Sequence, residues 1–114
     1  MKYLLLFCDT AERRSYWESL TDDQRDQGMA IVGQWFGQNA DKLVSTHQLQ
    51  PPSTARTVHI NGNGAVVTDG PFIEAKEVIG GYAIFELGNE EDAIELAKTW
   101  PAGGTVEVRP LVER

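Results

Sequence analysis

The residues best able to do chemistry are concentrated in one short run, Thr-Asp-Gly-Pro-Phe-Ile-Glu-Ala-Lys-Glu at positions 68–77, just ahead of Gly80-Gly81-Tyr82. Asp69 offers a carboxylate at a strand end, a candidate general acid or base if partial burial raises its pKa. An aspartate at that place also commonly accepts the amides of its own turn, and Asp-Gly followed by Gly-Pro is a strong turn signal. Both readings of Asp69 stand. Lys76 suits an anionic ligand, or forms a solvated loop edge with Glu77. Phe72 and Tyr82 can wall an apolar pocket, or belong to the core. His47 can exchange protons near neutral pH, or sit on a surface or dimer contact. The candidate set is therefore Asp69 and His47 for acid–base work, with Phe72, Lys76 and Tyr82 for ligand binding.

The remaining motifs are sparse. His59 alternates with Val58 and Ile60 and so points away from their face. Two histidines without clustered acids or cysteines make no metal site, and no phosphate loop, dinucleotide fingerprint, nucleophile elbow or zinc spacing occurs. No metal or cofactor is expected. Cys8 stands alone in the sequence, which excludes an intrachain disulfide, and its apolar surroundings suit a buried structural thiol.

Elements that position these residues follow from patterning. Residues 2–8 form a continuous apolar run, suited to a strand covered on both faces. Thr21-Asp-Asp-Gln24 matches a capping box, and Met29, Val32, Phe36, Ala40 and Leu43 follow at helical spacing with Ile31 and Trp35 widening the stripe. The spacing predicts a helix over residues 22–39, with a short helical turn before it in residues 11–20. Residues 43–49 read as a strand stopped by Pro51-Pro52. Residues 55–60 and 65–68 flank Asn-Gly-Asn-Gly, a hairpin signal whose residues tolerate positive φ. A strand over residues 78–87 follows, with Gly80-Gly81 marking a bulge or close approach. Asn89 caps a helix that buries Ala93, Leu96, Ala97 and Trp100, and residues 105–109 form the last strand. Trp35 and Trp100 read as core.

The order strand, helix, strand, hairpin, strand, helix, strand favours one α+β domain spanning residues 1–114. Its expected plan is a ferredoxin-like antiparallel sheet with two helices on one face. The other sheet face then needs a cover, and a second copy of the chain is the simplest one. At 114 residues the chain suffices for a single core. Its formal charge of −7 disfavours broad attraction to nucleic acid or anionic lipid. The N-terminal apolar run is too short for a secretory signal and nothing approaches a membrane span, so a cytoplasmic protein is expected.

Lys2-Tyr-Leu-Leu-Leu6, Leu49-Gln-Pro-Pro52, Val67-Thr-Asp-Gly-Pro-Phe72 with Glu74-Ala-Lys-Glu77, Gly80-Gly-Tyr82 and Gly104-Thr-Val-Glu-Val-Arg-Pro110 occur in order along nearly the whole chain. Together they resemble the YCII-related proteins of the DGPF type. The resemblance implies a dimeric α+β barrel in which two ferredoxin-like sheets face each other, hence a homodimer. It implies no defined reaction. A small enzyme acting on a small molecule is one reading, since a His-Asp pair is proposed for the wider group. A ligand-binding or regulatory module working with an extracytoplasmic-function sigma factor is the other. Neither His47 nor His59 falls in a segment matching that group's histidine.

Overall fold

The computed structural model describes residues 1–70 and 77–113. Within them the chain runs β1 (Lys2–Thr10), α1 (Ala11–Ser19), α2 (Asp22–Gln38), β2 (Leu43–Gln48), a 3-10 turn (Pro52–Thr54), β3 (Arg56–Asn61), β4 (Gly64–Asp69), β5 (Glu77–Glu86), α3 (Glu90–Lys98) and β6 (Thr105–Pro110). Strands β2, β5, β1 and β6 form one antiparallel sheet in that order, and β3 pairs only with β4 in a separate hairpin. With the hairpin set aside, the arrangement is the expected ferredoxin-like α+β plan.

Side-chain alternation sorts the sheet into two faces. Tyr3, Leu5 and Phe7 of β1 and Ala83 and Phe85 of β5 point to the helices, where α2 contributes Trp35 and α3 contributes Ala93 and Leu96. This is the core. Trp35 is at its centre, packed edge-to-face on Phe85, Phe36 and Trp100 at ring separations of 5.0–5.7 Å. Trp100 stacks on Phe7 at 4.0 Å. Trp35 is core, as its spacing predicts, while Trp100, beyond the end of α3, is half-buried and packs against that core.

Local signals account for the helix starts. The Thr21 hydroxyl accepts from the Gln24 amide while the Gln24 side chain accepts from the Thr21 amide, so two otherwise orphaned donors are satisfied. Asn89 accepts from Asp92 ahead of a first turn of three acids, which suits the positive end of the helix dipole. Residues 11–19 form a full helix capped by Thr10 rather than a single turn.

The structure departs from the pattern on α2. Met29 and Ile31, counted with the buried stripe, are 47% and 52% exposed. The first half of this helix packs against α1, with the Trp17 ring lying where a side chain on Gly28 would stand. Only the later turns, around Trp35, reach the sheet. The hairpin also closes differently from expectation. Gly62 and Asn63 form its loop without positive φ, the left-handed residue is Gly64 at φ 128°, and the Asn61 side chain accepts from the Asn63 amide.

Candidate functional site

The sheet face turned away from the helices carries a row of side chains set by strand register. His47 of β2 stands opposite Tyr82 of β5, Tyr82 opposite Leu6 of β1, and Leu6 opposite Glu107 of β6. Beside it run Ser45, Ile84, Leu4 and Arg109, and on the other side Ile79, Cys8 and Thr105. The middle of this face is apolar and half-buried, while its two edges are polar. Arg109 pairs with Glu107 at 2.6 Å, and Thr105 donates to Glu77 at 2.9 Å.

Two glycines position His47 and Tyr82. β5 bulges at Gly80, because Phe7 pairs with Gly81 while Cys8 pairs with Ile79, and the Gly80 carbonyl accepts from the Leu49 amide. At Gly81 an added Cβ would stand 3.1 Å from the His47 carbonyl oxygen. The approach of β2 to β5 is therefore tight for any side chain at this point and favours glycine, as the Gly-Gly pair suggests. Thr46, on the opposite face, donates to the Tyr82 carbonyl and ties the strands together. The result brings the His47 and Tyr82 rings to 5.8 Å, inclined at 44°. An imidazole able to give or take a proton thus lies beside a phenol, above an apolar floor.

Asp69 ends β4 at the root of the hairpin. Its side chain is 92% exposed and pairs across the strands with Arg56 at 3.4 Å. Gly70, at φ 87°, donates its amide to the Ala55 carbonyl, and its carbonyl accepts from the Thr57 hydroxyl. The Gly70 amide is thus satisfied by Ala55, and Pro71 has no amide to offer. Phe72 and Lys76 lie outside the described residues, as do the other residues between Gly70 and Glu77. Of the candidate set, the structure brings His47 and Tyr82 together and sets Asp69 apart on the hairpin. His59 faces away from Val58 and Ile60 on that hairpin, as alternation predicts.

Sequence reasoning passed over Leu4, Leu6, Ile84 and Glu107 as parts of this face. The period-two pattern of β6 already separated Glu107 and Arg109 from Val106 and Val108. What alternation does not supply is the register that sets them in line with His47 and Tyr82.

Cys8 also opens onto this face. Burial pushes its thiol above the usual range, and the nearby Glu77 and Glu107 carboxylates push the same way. The folded chain therefore holds the thiol proton to higher pH than the unfolded chain, and that small stabilising effect is lost as pH rises through the folded value. Alkylation of Cys8 by iodoacetamide, followed against pH, should show a midpoint above that of an unstructured cysteine. Glu107→Gln should bring it down. A midpoint at or below the free-thiol value would contradict this placement.

Among the described residues no group of three or more histidine, cysteine, aspartate or glutamate side chains is placed to hold a metal ion, and no helix is long and apolar enough to cross a membrane. Two grooves lie away from the His47 face. One of about 500 Å³ runs between α3 and β6, and one of about 600 Å³ lies between Lys42, Leu87 and Asp92.

Comparison with known proteins gives a match to the YCII-related domain over residues 1–113. The chain is also 28% identical over 115 residues to a protein of Rhizobium meliloti (strain 1021) described as uncharacterised, covering 97% of this chain and 92% of that one.

Proposed function

Taking as premise that this chain belongs to the YCII-related domain family, we propose that it is a cytoplasmic homodimer that binds a small molecule on its open sheet face. His47 acts there as the proton-transfer group. The observation behind this reading is the His47–Tyr82 pair, with rings 5.8 Å apart, on a face whose centre is apolar. Leu4, Leu6 and Ile84 would take the apolar body of the ligand, and Tyr82 a polar substituent. A second copy laid face to face would exclude water, which strengthens both hydrogen bonding and acid–base chemistry.

Asp69 enters this reading as a second acid or base only where a ligand reaches the hairpin root and displaces Arg56. Phe72 and Lys76 are proposed as further ligand contacts from their chemistry, an aromatic wall and a cation for an anionic group. A regulatory module bound to an extracytoplasmic-function sigma factor is the second reading. The exposed apolar face of the β3–β4 hairpin favours it, with Ile60 83% exposed.

A thermal-shift screen against small metabolites tests the first reading. A ligand at about 100 times its Kd adds roughly 2.7 kcal/mol of stability, a rise of several degrees in Tm. His47→Gln should abolish most of that rise, and Asp69→Asn should keep it. The opposite pattern would move the site to the hairpin, and a shift insensitive to both would remove it from either place.

A further inference from the structure

The β3–β4 hairpin is an arm, and nothing described in its own chain covers it. Val58 and Val67 pair on one of its faces, next to Ile60 and Ala65, with Val58, Ile60 and Val67 52%, 83% and 53% exposed. A two-stranded hairpin left alone in water is marginal, so this arm needs a third layer. It grows from the β2–β5 side of the sheet, where the Leu49 amide donates to the Gly80 carbonyl of β5, and its own root is closed by the Gly70–Ala55 backbone bond. The groove between α3 and β6 lies at the opposite edge, where β6 has, among the described residues, a strand neighbour on one side only. Ile94, Trp100, Val106 and Val108 line it together with Lys98 and the Gly103–Gly104 turn, and its volume is about 500 Å³.

We propose that the hairpin of each copy crosses to a second copy and seats its Val58–Ile60–Val67 face in that copy's α3–β6 groove. This deepens the open-face dimer and rests on it. A two-fold axis running along the strands, between two sheets laid face to face, sets each β2 edge against the other chain's β6 edge. Arm and groove then meet twice, in a closed arrangement.

Area favours the same occupant. Four strands about 4.8 Å apart and about 20 Å long present a footprint of roughly 400 Å², and one hairpin face roughly 200 Å². The sheet faces alone fall short of the roughly 800 Å² per partner of a stable interface, and an arm given and an arm received bring the total there. Charge agrees. The chain is acidic, at −7, yet Arg56 is paired with Asp69 on the arm and Lys98 with Glu95 beside the groove. Neither surface carries a net charge to select a foreign partner, and both halves of the match lie on this chain.

The test uses a Cys8→Ser background carrying Ile60→Cys in one chain and Ile94→Cys in another, mixed and treated with a short bismaleimide. Covalent dimers are expected from the mixture and not from either chain alone. Val67→Lys should weaken the dimer by roughly tenfold or more in sedimentation equilibrium, since it sets a second ammonium among the valines and Lys98 of the groove, while far-UV circular dichroism stays unchanged. If the unmodified protein is a monomer, the open-face dimer and the arm both fall. A dimer that gives no Ile60–Ile94 link, or that ignores Val67→Lys, removes the arm and leaves the open-face reading standing. Arm variants that keep the dimer but lose binding to a purified sigma factor would assign the hairpin to that partner and overturn the proposal.

Discussion

Trp35→Ala should lower the stability of the folded chain by about 3–5 kcal/mol, the range for removing a large aromatic from a packed core. Trp35 is 5% exposed and touches the rings of Phe7, Phe36, Phe85 and Trp100. It therefore joins both helices that cover the sheet to the two central strands. Its indole N–H donates to the Thr99 hydroxyl at 2.7 Å, and that hydroxyl donates onward to the Leu96 carbonyl at 2.6 Å. Truncation opens a cavity among these four rings. Against a total stability of about 5–15 kcal/mol for domains of this kind, such a loss brings the chain near its folding threshold. Thermal denaturation should show a fall of roughly 12–20 °C, taking about 4 °C per kcal/mol at this size. Trp35→Phe separates the terms. It keeps most of the ring contact and loses the hydrogen bond, so roughly 1–2 kcal/mol is expected. Equal losses for the two substitutions would mean that the hydrogen bond, not the packing, holds α2 on the sheet.

The elements of this core were legible because each had a local signal. The capping box at Thr21, the Asn89 cap with its acidic turn, and the alternation of residues 105–109 each fix an element without reference to the rest of the chain. Gly80-Gly81 was legible for the same reason, since a pair of glycines in a strand marks a place where backbones must come close. The stripe on α2 misled at Met29 and Ile31, because helical spacing shows which residues share a side but not how far along its axis a helix meets a sheet. The site was harder to read for a related reason. Asp69 draws attention through its turn, yet on the described chain its carboxylate faces solvent with Arg56. The His47–Tyr82 pair arises from residues 35 positions apart in sequence, brought together by the β2–β5 register. Register depends on the whole sheet, and no local signal states it.

The same dependence on a distant backbone contact makes Gly104 the second position of large effect. It precedes β6 at φ 79°, a left-handed conformation that side chains adopt at a cost of about 1–3 kcal/mol. An added Cβ would also stand 2.6 Å from the Cys8 carbonyl oxygen, backbone that cannot swing aside as a side chain could. The approach is held from outside by Arg13, which donates to the Ala102 carbonyl and pairs with Asp9 at 2.9 Å. Gly104→Ala must therefore push β6 away from the end of β1, and a loss of about 2–3 kcal/mol is expected in urea denaturation. Gly33→Ala provides the control. Nothing lies within 4 Å of the added Cβ there, the residue is inside α2, and alanine should stabilise by about 0.5–1 kcal/mol. The consequence for the open face is specific. Cys8 pairs with Thr105 in register, so moving the Cys8 carbonyl also shifts the thiol and loosens its burial. Its alkylation should become severalfold faster in Gly104→Ala at a pH where the native thiol is still protonated. If stability falls while Cys8 reactivity stays constant, the displacement is confined to the turn. The β1–β6 end of the open face would then be held by something other than the close approach at Gly104.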